Sequence, residues 1–271
     1  MFTSKTKVSK NPEKLSYQNI KKGLLTNNWG HNLVCFNELT STNDWAAQLA
    51  DKGKPSGTLV ITEYQTHGRG RRYRTWHSNP GDNLLFSLLL RPPWLAEHAS
   101  LITLLMAVGI TNSIRELTGL LAQIKWPNDI LINQHKVSGI LTEVALRKKN
   151  IKHLICGVGI NINSASKNSA GKPAVFLNEL LNYKLDRITL LQKILFQTEK
   201  IYEDLLTSGS KHLLKMWMEL SCMLNKQVAI KKSTGEILIG ESLGINDKGA
   251  LRLRLENGII KNISDGQLTF L

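Results

Sequence analysis

The stretch Gln65-Thr66-His67-Gly68-Arg69-Gly70-Arg71-Arg72-Tyr73-Arg74-Thr75-Trp76 places four arginines within six positions, beside two glycines and ahead of a closing tryptophan. Each guanidinium carries five donors in a rigid fork that matches a phosphate or a carboxylate. Glycine allows close backbone approach and positive φ, so Gly68 and Gly70 are expected to supply both. Four like charges this close repel, cannot pack as a core element and favour a mobile loop. An anion would neutralise them and order the loop around itself, which makes the stretch an anion-closing lid. A solvated basic loop, or one that touches nucleic acid, is the other reading. The pattern lacks the third glycine of a dinucleotide fingerprint and the Gly-Lys-Ser/Thr of a P-loop.

The 271 residues allow one large domain, or a large one and a small one, and 42% hydrophobic residues are enough for a substantial core. A net charge of +14 favours acidic partners without choosing among nucleic acid, anionic membrane, nucleotide or protein. Cys35, Cys156 and Cys222 are widely spaced, which argues against a disulfide framework or structural zinc and suits a reducing compartment. The first ten residues are polar and basic, unlike a secretory signal, and the apolar segments are too short or interrupted to span a bilayer. A soluble, cytoplasmic protein with no membrane partner is expected.

Upstream of the arginine stretch, residues 1 to about 14 read as a lysine-rich frayed end, followed by room for one short helix and a first strand near residues 32–36. A winged helix-turn-helix needs more chain than this segment supplies. Ser41-Thr42-Asn43-Asp44 ahead of Trp45-Ala46-Ala47-Gln48-Leu49-Ala50 is a helix start, with Ser, Thr or Asn as the cap. One cap needs one side chain, so three adjacent polar groups leave hydrogen-bonding capacity for a ligand. Residues 57–64 form a strand that delivers Gln65 to the loop.

Downstream, the continuous apolar run 84–90 reads as a central strand and residues 100–117 as an apolar helix. Residues 122–132 are two short strands joined at Trp126-Pro127-Asn128-Asp129, whose proline and asparagine suit a tight turn. Residues 136–144 and 151–162 are two further strands, and the Ser- and Asn-rich stretch 163–173 is a loop. Leu190, Leu191, Ile194, Leu195, Ile201, Tyr202, Leu205 and Leu206 recur at helical spacing within 189–206, and a second helix spans about 210–220. After about residue 225 the texture changes to short strands at 227–231, 237–245, 250–255 and 259–263, separated by turns. Five or so strands in so short a stretch imply a small barrel or sandwich. The expected division is residues 1–221 and 222–271.

Ser41-Thr42-Asn43, Gln65 to Trp76, Lys125-Trp126-Pro127-Asn128-Asp129, Lys136-x-x-Gly139-Ile140-Leu141-x-Glu143 and Gly157-x-Gly159-Ile160-Asn161 stand in this order ahead of the small C-terminal β domain. In that order they resemble biotin protein ligase, also called biotin–[acetyl-CoA-carboxylase] ligase, from about residue 32 to the end. His67 and Tyr73 depart from the family pattern, which often has a small residue and a glycine there. The family's larger members carry an N-terminal winged helix; its absence here resembles the monofunctional ligases.

The resemblance implies an α+β fold: a mixed β-sheet with helices, of the class II aminoacyl-tRNA synthetase-like biotin/lipoate ligase type, plus an SH3-like C-terminal barrel. It implies that biotin and ATP yield biotinyl-5′-AMP and pyrophosphate, with Mg2+ carried on the ATP phosphates. A lysine of a biotin carboxyl carrier protein domain then takes the biotinyl group. Lys136 would contact the biotin carboxyl and the α-phosphate, while Arg69 and Arg71, with Gly68 and Gly70, would close over the adenylate. Ser41, Thr42, Asn43 and Gln65 would hold the biotin end beside Gly139, and Asn128, Gly159 and Asn161 would lie near the nucleotide. Trp76 and Trp126 read as wall-lining packing. Asp129 either assists the acceptor amine or caps its own turn. No His/Cys/carboxylate cluster suggests another metal, and an exposed strand edge offers pairing to the carrier or to a second copy as a homodimer. A lipoate-type ligase of the same fold and a basic nucleic-acid-binding module remain as alternatives, though no reading helix or aromatic platform supports specific nucleic-acid binding.

Overall fold

In the computed structural model the chain is described over residues 14–163 and 175–271. Most of the frayed end expected at the N-terminus and nearly all of the loop expected at 163–173 lie outside those residues. The order is α1 (Tyr17–Lys22), β1 (Leu33–Leu39), α2 (Thr42–Asp51), β2 (Leu59–Gln65), β3 (Asn83–Leu90), α3 (Ser100–Thr118), β4 (Gln123–Lys125), β5 (Asp129–Ile132), β6 (His135–Arg147) and β7 (Asn150–Asn161). Three helices follow, α4 (Leu177–Leu180), α5 (Arg187–Ser208) and α6 (Lys211–Leu220). Five strands close the chain, β8 (Gln227–Lys231), β9 (Ile237–Ile245), β10 (Leu251–Leu255), β11 (Ile260–Ile263) and β12 (Gln267–Phe270).

The first seven strands form a mixed sheet ordered β1-β2-β3-β7-β6-β5-β4, in which only β1 and β2 run parallel. Strand β3, in its interior beside the central β7, is buried along its whole length. That is the environment a continuous apolar run requires, since both faces of the strand are covered. Leu84, Phe86, Leu88 and Leu90 face the main core with α3 and α5, while Leu89 faces α2 with Val60 and Ile155. Helix α3 is apolar almost all round because it lies inside this core. It crosses α5 at Gly109, where a methyl group would meet Thr198 Cγ2 at 2.2 Å.

The last five strands form an antiparallel sheet ordered β11-β10-β9-β8-β12, the small β unit expected from the turn spacing and, by the resemblance, SH3-like. Strand β12 was not placed individually by the sequence reading; its four residues offer too little alternation to stand out. The two sheets share one core. Trp126 is buried between them, its indole N–H donating to Gly249 O at 3.3 Å and its amide to Met223 Sδ at 3.1 Å. Ser100 at the start of α3 donates to Lys248 O, and Lys248 pairs with Glu97 at 2.8 Å. Trp126 is therefore packing, as expected.

A buried ion pair fixes the strand that leads into the arginine loop. Arg187, at the first turn of α5, donates to Glu63 Oε2 of β2 at 2.7 Å and to Asn83 O of β3 at 3.1 Å. The side chains are 5% and 14% exposed, so each charge depends on the other for compensation. Arg187→Ala should cost about 3–5 kcal/mol in urea unfolding because it strands the Glu63 carboxylate. An Arg187→Met/Glu63→Leu double variant should recover most of that loss; if it unfolds as easily as the single variant, the pair is not the cause.

Candidate functional site

Above the sheet, on the face that carries α2, side chains give way to backbone. Strand alternation sends Cys156, Val158 and Ile160 into the core, so Gly157, Gly159 and Asn161 face the other way. Gly157 lies opposite Ser87 and Leu141, and Gly159 opposite Leu85 and Gly139. The floor of the groove is thus three glycines wide, and each is there for space. A methyl group would come within 2.1 Å of Asn43 Oδ1 at Gly157, 2.5 Å of the Trp76 ring at Gly159 and 2.8 Å of Lys136 Nζ at Gly139. Trp76 lies on this floor and its indole N–H is buried with no hydrogen-bond partner among the described residues.

One end of the groove is a hydrogen-bonding cluster built by the first turn of α2. Ser41 occupies the cap position, but its side chain makes no cap bond, so the plain-cap reading does not hold. The neighbouring residues use their polar groups across the groove instead. Gln65 Oε1 accepts from Thr42 N at 2.7 Å and from Thr42 Oγ1 at 3.0 Å. Asn43 Nδ2 donates to Glu143 at 2.7 Å, and Ser87 Oγ lies 2.6 Å from Asn43 Oδ1 and 2.7 Å from Thr42 Oγ1. Ser41, Thr42, Asn43 and Ser87 are all buried.

The arginine loop runs from this cluster, where Arg69 pairs with Asp44 and Glu143, to the end at Asn128, which Arg71 reaches. Trp76 N donates to Gly68 O at 2.8 Å and Gly70 N to Arg74 O at 2.7 Å, folding residues 68–76 back on themselves. Gly68 is needed because a Cβ there would sit 2.5 Å from Trp76 O. The positive φ angles expected of Gly68 and Gly70 fall instead on Arg72 (57°) and Tyr73 (59°). Two successive left-handed residues that are not glycine are costly, about 1–3 kcal/mol each, and persist only where surrounding contacts over-determine them. Tyr73 itself projects fully into solvent.

Those contacts are ionic, and here the expectation of a loop left to its own repulsion is corrected. Arg69 pairs with Asp44 at 2.6 Å and Glu143 at 3.1 Å. Arg71 and Arg72 share Asp265, at 2.5 and 3.0 Å, and Arg74 donates to Gln267 at 2.5 Å. Burial pulls the Arg71 guanidinium below its ordinary value, against the opposing effect of Asp265. At Asp265 burial works upward, but the hydrogen bond from Arg72 and the charges of Arg71 and Arg72 outweigh it and hold the carboxyl below its usual range. A carboxyl lowered on folding contributes fully above its unfolded value of about 3.9 and is lost only as pH falls through the folded one, so the pairing is complete at neutral pH.

Lys136 reaches the groove through a bulge. Lys136 and Gly139 are three residues apart and would lie on opposite faces of a regular strand. The β5–β6 register shifts between Ile130 and Leu131, and this turns Lys136 onto the same side as Gly139. Its Nζ is 2.6 Å from Asp129 Oδ1 and 5.4 Å from the centre of the Trp76 ring. Asp129 therefore holds Lys136, a role that neither reading of the sequence anticipated. Asn128 donates to Ile140 O at 2.8 Å and accepts from Arg71 at 3.4 Å, while Asn161 Nδ2 lies 3.5 Å from Lys136 O.

The residues singled out from the sequence thus converge on one groove. Those missed are Ser87 and Asp265, while Gly157 and Glu143 were quoted only as parts of motifs and Asp44 only in a helix start. Ser87 had a signal, as the one hydroxyl inside an apolar run. Asp265 had only that of a turn residue. The groove combines a cluster of donors and acceptors, a glycine floor and four cations along its mouth, with Arg69 at the α2 cluster, Arg71 and Lys136 at the Asn128–Asp129 turn, and Arg72 on Asp265. The ion pairs at the mouth are partly exposed, and such pairs are worth about 0–1 kcal/mol each. They are weak enough to exchange for the anions of a ligand.

Residues 34–161 match the Biotin/lipoate A/B protein ligase family and residues 223–266 the Biotin protein ligase C terminal domain. The chain is 37% identical over 255 residues to the Bifunctional ligase/repressor BirA of Bacillus subtilis, covering 93% of this chain and 78% of that one. It is 30% identical over 220 residues to the Biotin--[acetyl-CoA-carboxylase] ligase of Paracoccus denitrificans, covering 79% and 90%. A solved structure of biotin protein ligase from Aquifex aeolicus in complex with biotin and ATP aligns with a TM-score of 0.74 at 29% identity, over 89% of this chain and 99% of that one.

Gly159→Ala should lift Trp76 off the floor while leaving the fold intact. The expected readout is increased acrylamide quenching of tryptophan fluorescence that disappears in a Trp76→Phe background. Unchanged quenching would mean that the glycine is not what seats the indole.

Proposed function

The chain belongs to the biotin/lipoate A/B protein ligase family, and from that premise we propose that it joins biotin to ATP and passes the biotinyl group to a lysine of a biotin carboxyl carrier protein. In the first step a biotin carboxylate oxygen attacks the α-phosphorus of ATP, forming biotinyl-5′-AMP and releasing pyrophosphate, with Mg2+ arriving on the ATP. In the second, the ε-amine of the acceptor lysine, having lost its proton, attacks the carbonyl of the mixed anhydride and AMP departs. The relatives carry the names of biotin ligases, which favours biotin over lipoate and an enzyme over a nucleic-acid module.

The observation that carries this reading is the placing of Lys136 and Arg71 at the same end of a glycine-floored groove, Lys136 on Asp129 and Arg71 on the adjacent Asn128, with Arg69 on Asp44 and Glu143 beside the α2 cluster. A carboxylate and a triphosphate repel, and negative charge grows on the α-phosphoryl oxygens and the departing pyrophosphate. Fixed cations offset both, and one well-aimed donor supplies roughly 3–4 kcal/mol. Lys136 is the first choice to bridge the carboxylate and the α-phosphate, with Asp129 holding its ammonium in line until they arrive. Ser41, Thr42, Asn43 and Gln65 have the mixed donors and acceptors that the biotin ureido ring needs. Trp76 and Gly139 line the substrate groove beside Lys136, and Asn128, Gly159 and Asn161 form the wall nearest the nucleotide. Arg69 and Arg71, on the loop from Gly68 through Gly70, close over the adenylate and keep water from it. Strand β1 is an edge of the large sheet and offers pairing to the carrier or to a second copy of the chain.

Lys136→Ala should lower biotin-dependent ATP–pyrophosphate exchange by about 10²–10³-fold; near-normal exchange would remove Lys136 from this role. Arg71→Gly should still form the adenylate but release it, so that unrelated proteins incubated with the variant acquire biotin detectable by mass. Retention equal to that of the unaltered protein would argue against a sealing function for the loop.

A further inference from the structure

The arginine loop is held by a part of the chain remote in sequence from the groove it closes. Arg71 Nη2 and Arg72 Nη2 converge on the two oxygens of Asp265, in the turn between β11 and β12. Arg72 Nη1 also donates to Lys231 O of β8 at 3.1 Å, and Arg74 reaches Gln267 at the start of β12. Among the described residues, every hydrogen bond and ion pair that ties residues 71–74 to the chain outside the loop, apart from the long bond to Asn128, is therefore made by the small C-terminal sheet. Arg69 alone is held from the large sheet and α2, through Glu143 and Asp44. The turn that bears Asp265 is itself pinned. Gly266 sits where a methyl group would lie 2.4 Å from Ile230 Cγ2, so its backbone rests directly on β8.

The geometry points to Asp265 as a positioning residue that fixes the loop through Arg71 and Arg72 and so places the C-terminal sheet in control of closure. Three features support this. Arg72 and Tyr73 hold left-handed backbone that a free loop would abandon, and the Arg72 side chain is the only ionic tie at that bend among the described residues. One carboxylate serves two guanidinium groups that would otherwise repel, so removing it both releases and destabilises the bend. Arg71 gives Asp265 only one of its two terminal nitrogens, and the other lies toward Asn128 in the groove. The carboxylate can orient the arginine without occupying it. Asp265 touches no reacting group in this account; it acts through the arginines.

The placement of the loop needs only this geometry. Its consequence for retaining the adenylate rests on the reading of the preceding subsection, and the two are tested separately. Without any ligand, amide hydrogen exchange in Asp265→Asn should rise about tenfold across residues 69–76, a change that corresponds to about 1.4 kcal/mol. The remainder of the chain should exchange as before, and Asp265→Glu should restore much of the protection. Unchanged exchange at 69–76 would overturn the proposal. So would a rise spread over the whole C-terminal sheet, since Asp265 would then be holding that unit rather than the loop. With biotin and MgATP, the same Asn variant should lose its adenylate several-fold faster than the unaltered protein at an undiminished melting temperature. Faster exchange without faster loss would leave Asp265 as the anchor of the loop and overturn its part in sealing the intermediate.

Discussion

The structure depends on balancing a dense cluster of positive charge. Three guanidinium groups and an ammonium line one groove, and none of the tight bends they occupy would hold if those charges met only each other. Four separate parts of the chain supply the opposing carboxylates: Asp44 and Glu143 for Arg69, Asp265 for Arg71 and Arg72, and Asp129 for Lys136. Each carboxylate is short-ranged and partly wet, so each tie is weak. Weakness suits the chemistry, because the anions of a substrate must be able to take these cations over.

The second requirement is room. A sheet normally presents side chains on both faces, and a groove wide enough for an elongated ligand must lose them from one. Gly139, Gly157 and Gly159 achieve this on two neighbouring strands without breaking either ladder. The bulge between β5 and β6 then delivers Lys136 to the cleared face. Trp76 covers the cleared floor, which explains why a bulky aromatic and three glycines belong to one device.

The resting of one sheet on the other gives the molecule its long-range coupling. Trp126 carries the packing between them, since its indole and amide both bond to the C-terminal part while its turn leads directly to Asn128 and Asp129. The arginine loop spans the same junction by charge. Packing and electrostatics thus bind the two sheets at the mouth of the groove.

The elements were legible where period and composition speak locally. The apolar run of β3, the helical spacing in α5 and the turn-separated strands after residue 225 each announce themselves within a short window. The order of the motifs made the family, and through it most of the groove, legible as well. Burial of Trp126 as packing followed from its type. What the chain could not disclose were the pairings over long separation. That Asp265 would answer Arg71 and Arg72 from 194 and 193 residues away has no trace in local pattern. The left-handed bend at Arg72 and Tyr73, in place of the glycines beside them, follows from those ties and not from backbone preference. Likewise the facing of Lys136 depends on a register shift that alternation alone would place on the wrong side. Local sequence determines which segments can be strands or helices because propensity and period act over a few residues. Which carboxylate meets which cation is decided only when distant segments are brought together, because charge acts through space and not along the chain.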